Sequence, residues 1–217
     1  TFLGTRSYLS PEPKGVCLII APWNYPFSLA VGPLVSALAA GNTVVIKPSE
    51  FTPHTAALIA RMATELFEET EVKVVEGDAS VSSTLTVLPF DHIFFTGSPA
   101  VGKLVMKAAA ENLTSVTLEL GGKSPVIVTA SAKLEDAAER ITVAKYFNCG
   151  QTCIAPDYVL VDEKVAKSLV DLLKKQVTMR FTENAEPIKD SKHYTRIVSQ
   201  KHWLRMNALL EDAINNG

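Results

Sequence analysis

Short apolar runs rich in β-branched residues recur through the first half of the chain, and longer segments with a helical pattern separate them. The runs are VCLII (Val16–Ile20), TVVIK (Thr43–Lys47), VKVVE (Val72–Glu76) and DHIFF (Asp91–Phe95). Strands that are apolar on both faces are typical of a parallel sheet covered by helices on both sides. The pattern predicts an α/β fold with a doubly wound parallel sheet, an architecture that binds nucleotides in many proteins.

Between the strands of the first half, helices are expected over Pro26–Gly41, His54–Phe67 and Pro99–Ala110.

The pattern of apolar residues changes from Ser115, which predicts a second domain. The segment SVTLEL from Ser115 alternates like a strand. The elements expected after it are a strand VIVT, a helix over about Leu134–Asn148, a strand YVLVD, and helices in EKVAKSLVDLLKKQV and HWLRMNALLEDAINNG. We expect a nucleotide-binding domain over residues 1–120 and the first part of an α/β catalytic domain over residues 121–217, with the boundary near Glu119–Ser124.

Net charge, apolar content and the number of cysteines limit the partners and the cellular compartment that we expect. The 217 residues include 21 Lys and Arg against 23 Asp and Glu, which gives no basic surface for nucleic acid or an anionic membrane. An apolar fraction of 47% is enough to bury a core. Three cysteines do not form a disulfide framework in a chain of this length and indicate a reducing compartment. We therefore expect a cytoplasmic protein.

One uncharged stretch, Gly15–Gly41, has the length of a membrane span. Pro22, Pro26 and Pro33 interrupt it, and each removes a backbone donor that a spanning helix needs. We expect a buried strand, a turn and a helix here, and no membrane segment within this chain.

The segment FFTGSPAVGK (Phe94–Lys103) has features of an anion-binding helix start. Ser98 can cap a helix whose first residue is Pro99, and a helix N-terminus attracts phosphate. The glycine spacing matches neither a Rossmann fingerprint nor a P-loop. An ordinary capped helix would have the same sequence, so this segment alone does not establish a phosphate site.

Three further segments place polar side chains where strands end. Lys47 and Glu50 follow a strand and could hold ribose hydroxyls, or could belong to a solvated strand end. Asn24, in the proline-bounded turn PWNYP, could donate to an oxyanion or could bond its own turn. Glu119, beside two glycines, could act as a general base or could be an exposed strand-end carboxylate.

Cys149 and Cys153 lie four residues apart in YFNCGQTCIAPDY. A structural zinc site would need more ligands, and a redox pair is usually Cys-x-x-Cys, so no metal site is expected. A single activated thiol is favoured, since a thiolate attacks carbonyl groups well. Cys149 is expected at the end of a helix, where it fills space.

The segments PWNYP, KPSE, FTGSPAVGK, ELGGKSP and GQTCIAPDYV occur in this order along the chain. Together they resemble NAD(P)-dependent aldehyde dehydrogenases, and the last is similar to the class 3 or fatty-aldehyde branch. The resemblance extends from about Pro13 to about Arg180, with Glu119 preceding Cys153 by 34 positions.

The resemblance implies roles for individual residues. Cys153 corresponds to the nucleophile, Asn24 and the backbone N–H of Cys153 to the oxyanion hole, and Glu119 to the base that activates water. Lys47 and Glu50 correspond to residues that hold the adenosine ribose. The other cofactor contacts implied are Ile20, Pro22, Trp23, Thr96, Gly97, Ser98, Val101, Leu120 and Gly121, with Ser98 at the phosphate end.

The implied activity is oxidation of an aldehyde to a carboxylic acid with NAD or NADP. NAD is favoured, because a carboxylate at Glu50 would repel a 2′-phosphate. Members of this family continue beyond the residues matched here, so we expect part of a longer protein, a homodimer when complete. The isolated part is not expected to hold a complete site, and a fatty-aldehyde member would carry its membrane anchor beyond Gly217.

Three other functions stay open on the sequence. An acyl-transferring semialdehyde dehydrogenase would use phosphate or coenzyme A, but the presence of Glu119 favours hydrolysis. A non-catalytic nucleotide-binding fragment is the second alternative. Redox sensing by Cys149 beside Cys153 is the third.

Overall fold

A computed structural model describes residues 4–182 and 187–216 of the protein. The chain divides into two compact units, with the boundary between Leu120 and Gly121. We call them the first and the second unit.

The first unit is built on a parallel sheet of five strands in the order β3-β2-β1-β4-β5. The strands are β1 (Val16–Ile20), β2 (Thr43–Lys47), β3 (Val72–Val74), β4 (His92–Gly97) and β5 (Ser115–Leu120). The helices that connect them are α1 (Ser28–Ala39), α2 (Pro53–Leu66), α3 (Ala79–Thr86) and α4 (Pro99–Ala110). The predicted doubly wound α/β fold is confirmed, and β1 and β2 have the predicted bounds.

Alternate residues of β1 enter two separate hydrophobic cores, because successive side chains of a strand point to opposite faces. Cys17 and Ile19 pack with buried residues of α1 and α2 on one face. Leu18 and Ile20 pack with buried residues of α3 and α4 on the other face. Burial on both faces explains why this strand is an uninterrupted apolar run.

The second unit contains a parallel pair of strands, β6 (Ser124–Val128) and β7 (Pro156–Val161). Its helices are α5 (Leu134–Tyr146), α6 (Glu163–Phe181) and α7 (Gln200–Asn216), with 3-10 turns at Phe147–Gly150 and Ile188–Asp190. Its buried core is formed by Val128, Ala138 and Leu169 together with partly buried aliphatic residues around them.

Three local predictions were wrong. Helix α3 was missed because ASVSSTLT is rich in Ser and Thr and lacks an apolar period; Asp78 caps it by accepting from the Ser80 N–H at 2.9 Å. Strand β3 ends at Val74 rather than at Glu76. Helix α5 ends at Tyr146 rather than at Asn148, since Asn148 and Cys149 have left-handed φ angles of 50° and 56°.

The uncharged stretch Gly15–Gly41 contains β1 and α1, as expected. Within the described ranges, the chain contains no helix that is both long and apolar enough to cross a membrane.

Candidate active site

The predicted site residues of the first unit gather at one edge of its sheet, where the parallel strands end. Ile20 pairs in register with Lys47 of β2 and with Phe95 of β4. Thr96 pairs with Glu119, and Gly97 pairs with Leu120. The chain leaves β1 towards β2 and β3 and returns on the other side as β4 and β5. The strand order reverses at this point, and open α/β sheets bind ligands at the carboxyl ends of the strands beside such a reversal. We call this edge of the sheet the carboxyl edge.

Lys47 is buried at the carboxyl edge, with only 2% of its surface exposed. Its Nζ donates to the carbonyl oxygens of Pro48 and Gly77, both at 2.6 Å, and to Glu50 Oε2 at 3.3 Å. A buried ammonium group requires such partners. The alternative of a solvated strand end is therefore wrong for Lys47.

Gly77, whose carbonyl accepts from Lys47, was not identified from the sequence. It lies after β3, in the short connection to the unpredicted helix α3. Its φ of 147° is one that residues with a side chain rarely adopt. The pair Gly77-Asp78 between a strand and a Ser-rich segment was the available signal.

The start of helix α4 has the predicted cap. Ser98 Oγ accepts a hydrogen bond from the Val101 N–H at 3.3 Å. Thr96 Oγ1 is buried and has no hydrogen-bond partner among the residues that the structure describes. A Cβ at Gly97 would lie 2.5 Å from Phe95 Cζ, so only glycine fits there without a shift of the ring.

These observations fit a bound dinucleotide at the carboxyl edge. A buried hydroxyl without a partner is costly unless a ligand satisfies it. The capped N-terminus of α4 supplies N–H groups for a phosphate. Glu50, held by the Lys47 ammonium group at 3.3 Å, supplies a carboxylate acceptor that suits vicinal hydroxyl groups.

Two predicted catalytic side chains of the first unit are placed as follows. Asn24 is half-buried in the turn after β1, together with Pro22 and Trp23. Glu119 lies one residue before the end of β5 and its side chain is exposed.

Cys153 of the second unit is a free, exposed thiol. It lies in a turn directly before β7, where the Ala155 N–H donates to the Thr152 carbonyl at 3.1 Å. A Cβ at Gly122 would lie 3.8 Å from the Cys153 carbonyl oxygen. The thiol is therefore accessible on a short turn rather than packed in a core.

Cys149 differs from Cys153 in its environment. It is half-buried, and its Sγ donates to the Tyr194 hydroxyl oxygen at 3.3 Å. Burial is the main cause that raises the pKa of Tyr194 well above its usual value. Tyr194 thus keeps its proton, and its ring packs against Tyr146 and Phe181, with centroids 6.2 and 5.2 Å away. The expected place of Cys149 at a helix end was wrong, since it follows the helix in a left-handed conformation.

The third cysteine, Cys17, is buried in β1. Burial is the main cause that raises the pKa of its thiol. A buried thiol with a raised pKa is a poor nucleophile, which leaves Cys153 as the exposed reactive candidate.

Comparison with known proteins shows the family to which the chain belongs. The model of the aldehyde dehydrogenase family matches residues 3–217. The 4,4′-diaponeurosporen-aldehyde dehydrogenase of Staphylococcus aureus is 50% identical over 98% of this chain, which covers 46% of that protein. Aldehyde dehydrogenase family 3 member A2 of Macaca fascicularis is 46% identical over 95% of this chain, which covers 42% of that protein.

A solved structure shows the same likeness in three dimensions. Mycobacterium tuberculosis aldehyde dehydrogenase complexed with NAD+ matches with a TM-score of 0.86 and 34% identity, covering 95% of this chain and 43% of that one. This chain therefore spans less than half the length of the relatives it matches.

Proposed function

Because the chain belongs to the aldehyde dehydrogenase family, we propose that the complete protein oxidises an aldehyde to a carboxylic acid through a thioester on Cys153. The observation that carries the proposal is the free, exposed Cys153 thiol on its turn before β7. The two other cysteines are buried or half-buried, so Cys153 is the thiol that a substrate can reach.

The proposed reaction begins with addition of the Cys153 thiolate to the aldehyde carbon. A carbon–sulfur bond forms, and the carbonyl π electrons move to oxygen to give a thiohemiacetal oxyanion. By the family resemblance, the side-chain amide of Asn24 and the backbone N–H of Cys153 would donate to this oxygen in the complete protein, where negative charge develops. When bound, NAD(P)+ would supply the hydride acceptor. As the hydride leaves the carbon, the oxyanion electrons re-form the carbonyl bond, which leaves a thioester on Cys153.

Glu119 completes the proposed cycle by acting on water. Its carboxylate takes a proton from a water molecule, whose oxygen attacks the thioester carbon. The carbon–sulfur bond breaks, the carboxylic acid leaves, and the Cys153 thiolate is restored. Covalent catalysis of this kind divides one difficult oxidation into two easier steps.

We propose that the carboxyl edge holds the cofactor. Lys47 and Glu50 would contact the adenosine ribose, and the buried ammonium group already holds Glu50 in place at 3.3 Å. The further contacts are assigned to Ile20, Pro22, Trp23, Thr96, Gly97, Ser98, Val101, Leu120 and Gly121. NAD is favoured over NADP, because the Glu50 carboxylate would repel a 2′-phosphate. A relative has been solved with NAD+ bound, which supports a nicotinamide dinucleotide as the class of cofactor.

We also propose an oligomeric state and a cellular compartment for the complete protein. A homodimer is proposed from the family resemblance. A reducing compartment such as the cytoplasm suits a thiol nucleophile and three free cysteines.

The test uses Glu119→Gln in the complete protein. If Glu119 activates water, one turnover of NAD(P)H is released and the acyl group then stays on Cys153. Intact-mass and peptide mass spectrometry after mixing with aldehyde and cofactor should locate this adduct. Glu111→Gln, at an exposed glutamate, is the matched control and should turn over normally.

Two outcomes would overturn the proposal. Normal turnover of Glu119→Gln without an adduct would exclude its role as the base. Consumption of coenzyme A or phosphate in step with NAD(P)H by the unmodified protein would indicate acyl transfer instead of hydrolysis.

A further inference from the structure

We call residues 148–155 the cysteine turn. The side chain of Gln151, two residues before Cys153, joins this turn by hydrogen bonds to a segment more than 40 residues later. Its Nε2 donates to the Asn148 carbonyl at 3.0 Å and to the Arg196 carbonyl at 3.1 Å. Its Oε1 accepts from the Val198 N–H at 2.9 Å. One amide thus uses two donors and an acceptor, which fixes its orientation. We call Tyr194–Val198 the anchor segment.

The anchor segment is itself held in place. The Arg196 guanidinium donates to the carbonyl oxygens of Lys189 at 2.6 Å and Ser191 at 2.9 Å, and also to that of Tyr194. The five donors of arginine lie in a rigid plane, so these contacts restrain several backbone groups together. Gln151 is therefore bonded to a restrained element and not to a free loop.

The cysteine turn needs such a restraint, because its own backbone is not regular. Asn148 and Cys149 have φ angles of 50° and 56°, in a region that is unfavourable for residues with a Cβ. A conformation of this kind persists only where surrounding contacts hold it. The amide of Gln151 reaches the carbonyl of Asn148, one of these two residues.

We propose that Gln151 is a positioning residue for the Cys153 thiol. Its amide holds the Thr152–Ala155 turn against the anchor segment, and so keeps the Cys153 sulfur and backbone N–H in the orientation that attack on a carbonyl requires. The inference rests on the proposed function for its chemical consequence. The three hydrogen bonds of the Gln151 amide, which we call the clamp, lie within the second unit and can be measured without substrate or cofactor.

The experiment compares Gln151→Met with Gln200→Met in the complete protein. Gln151→Met keeps nearly the same volume but removes all three hydrogen bonds. Gln200→Met, at an exposed position beyond the anchor segment, makes the same chemical change outside the clamp. Hydrogen exchange is measured by mass spectrometry on the proteins without ligand. Steady-state kinetics are measured with aldehyde and NAD.

For Gln151→Met we expect faster exchange confined to peptides that contain residues 148–155 and 194–198. We also expect kcat to fall by about 100-fold, the scale of a misplacement of about 1 Å in an active site. The KM for NAD should stay unchanged, since the clamp contacts only the second unit. Gln200→Met should match the unmodified protein in all three measurements.

A second variant, Gln151→Glu, covers the case in which Gln151→Met fails to fold. An ionised carboxylate keeps the acceptor for Val198 but cannot donate to the Asn148 and Arg196 carbonyls. A protonated carboxyl regains one donor, so kcat relative to the unmodified protein should recover as the pH is lowered. A role in overall stability alone would instead speed exchange throughout the second unit in both Gln151 variants.

The proposal is overturned if Gln151→Met keeps both its kcat and the exchange rates of residues 148–155, or if Gln200→Met shows the same losses. It is also overturned if Gln151→Glu loses activity equally at every pH. If the unmodified protein oxidises no aldehyde, the proposed function fails, and local exchange in Gln151→Met still decides whether the clamp exists.

Discussion

The carboxyl edge of the first unit and the cysteine turn of the second unit position side chains by different means. At the carboxyl edge, paired strands place Lys47, Thr96 and Glu119 through their register. At the cysteine turn, Cys153 lies outside the helices and strands. The contacts nearby are three hydrogen bonds that the Gln151 side chain makes with backbone groups of Asn148, Arg196 and Val198. Substitutions of packed side chains at the edge, such as Lys47, should therefore cost mainly stability, whereas substitutions of Gln151 and Cys153 at the turn should cost mainly activity.

The largest expected effect is that of Cys153→Ala. Removal of the nucleophile should lower aldehyde-dependent NAD(P)H formation by at least about 1,000-fold, the scale seen when a nucleophile is deleted. The thermal midpoint should not fall, because the Cys153 side chain is exposed. Absorbance at the NAD(P)H band measures the rate, and Cys149→Ala serves as the control thiol. Turnover close to that of the unmodified protein would refute the role of Cys153.

Lys47→Met should give the largest loss of stability. The Pro48 and Gly77 carbonyls and the Glu50 carboxylate would lose their shared donor. A cost of about 3 kcal/mol in the free energy of unfolding is expected, since buried acceptors without a partner are unfavourable. The affinity for NAD should also fall, as measured by calorimetric titration.

The control for Lys47→Met is Lys103→Met, which removes the same charge from an exposed position. Urea denaturation of both variants gives the comparison. Equal losses in the two would mean that the buried contacts of Lys47 contribute nothing to stability.

The contrast between the two regions also explains what the sequence could predict. Val16–Ile20 and Thr43–Lys47 were placed correctly because each is a continuous apolar strand followed by a proline-containing turn. The position of Lys47 at a strand end was predictable, but its burial was not. Two of its partners are backbone carbonyls, and one of them, Gly77, belongs to another loop.

The backbone of the cysteine turn was harder to predict from the sequence than the strands of the carboxyl edge. Its short motif indicated a reactive thiol at Cys153, but the helix was expected to continue to Asn148. The left-handed residues end it sooner. Gln151 was not singled out, because its partners Arg196 and Val198 lie in a polar segment without periodicity, where nothing in the sequence marks a contact.

A smaller loss of stability is expected for Gly97→Ala. The new Cβ would lie 2.5 Å from the Phe95 ring, and overpacking of this kind costs about 2 kcal/mol. Gly121→Ala is the matched control, since a Cβ there meets no atom within 4 Å. Its free energy of unfolding should change by less than about 0.5 kcal/mol. Equal stability of the two variants would contradict the close packing at Gly97.

Cys149→Ala tests whether the second cysteine of the turn protects Cys153 or only packs. Loss of the hydrogen bond to Tyr194 should cost about 1 kcal/mol. The rate of Cys153 oxidation by dilute peroxide should not change, because we expect Cys149 only to pack and to bond Tyr194, and not to protect the Cys153 thiol. Peptide mass spectrometry measures both oxidation and any Cys149–Cys153 disulfide. Such a disulfide in the unmodified protein would favour redox sensing instead.

The smallest expected effect concerns His92, at the opposite end of the sheet from the carboxyl edge. Its Nδ1 lies 2.7 Å from Ser115 Oγ, and its Nε2 lies 3.1 Å from Thr117 Oγ1. Ser115 donates to the Asp91 carbonyl and accepts from Lys14. The proton between His92 and Ser115 is therefore assigned to Nδ1, and Nε2 accepts from Thr117.

Burial, and then the positive charge of Lys14, lower the pKa of His92 from its ordinary value of 6.5. The folded protein therefore binds this proton at a lower pH than the unfolded chain does. The stability that this difference contributes is present above pH 6.5 and is lost as the pH falls through the pKa of the folded state. The midpoint of urea denaturation should fall over this range, and it should fall less in His92→Gln. The exposed His54→Gln should keep the full pH dependence; if His92→Gln keeps it too, the neutral His92 network does not contribute to the stability of the sheet.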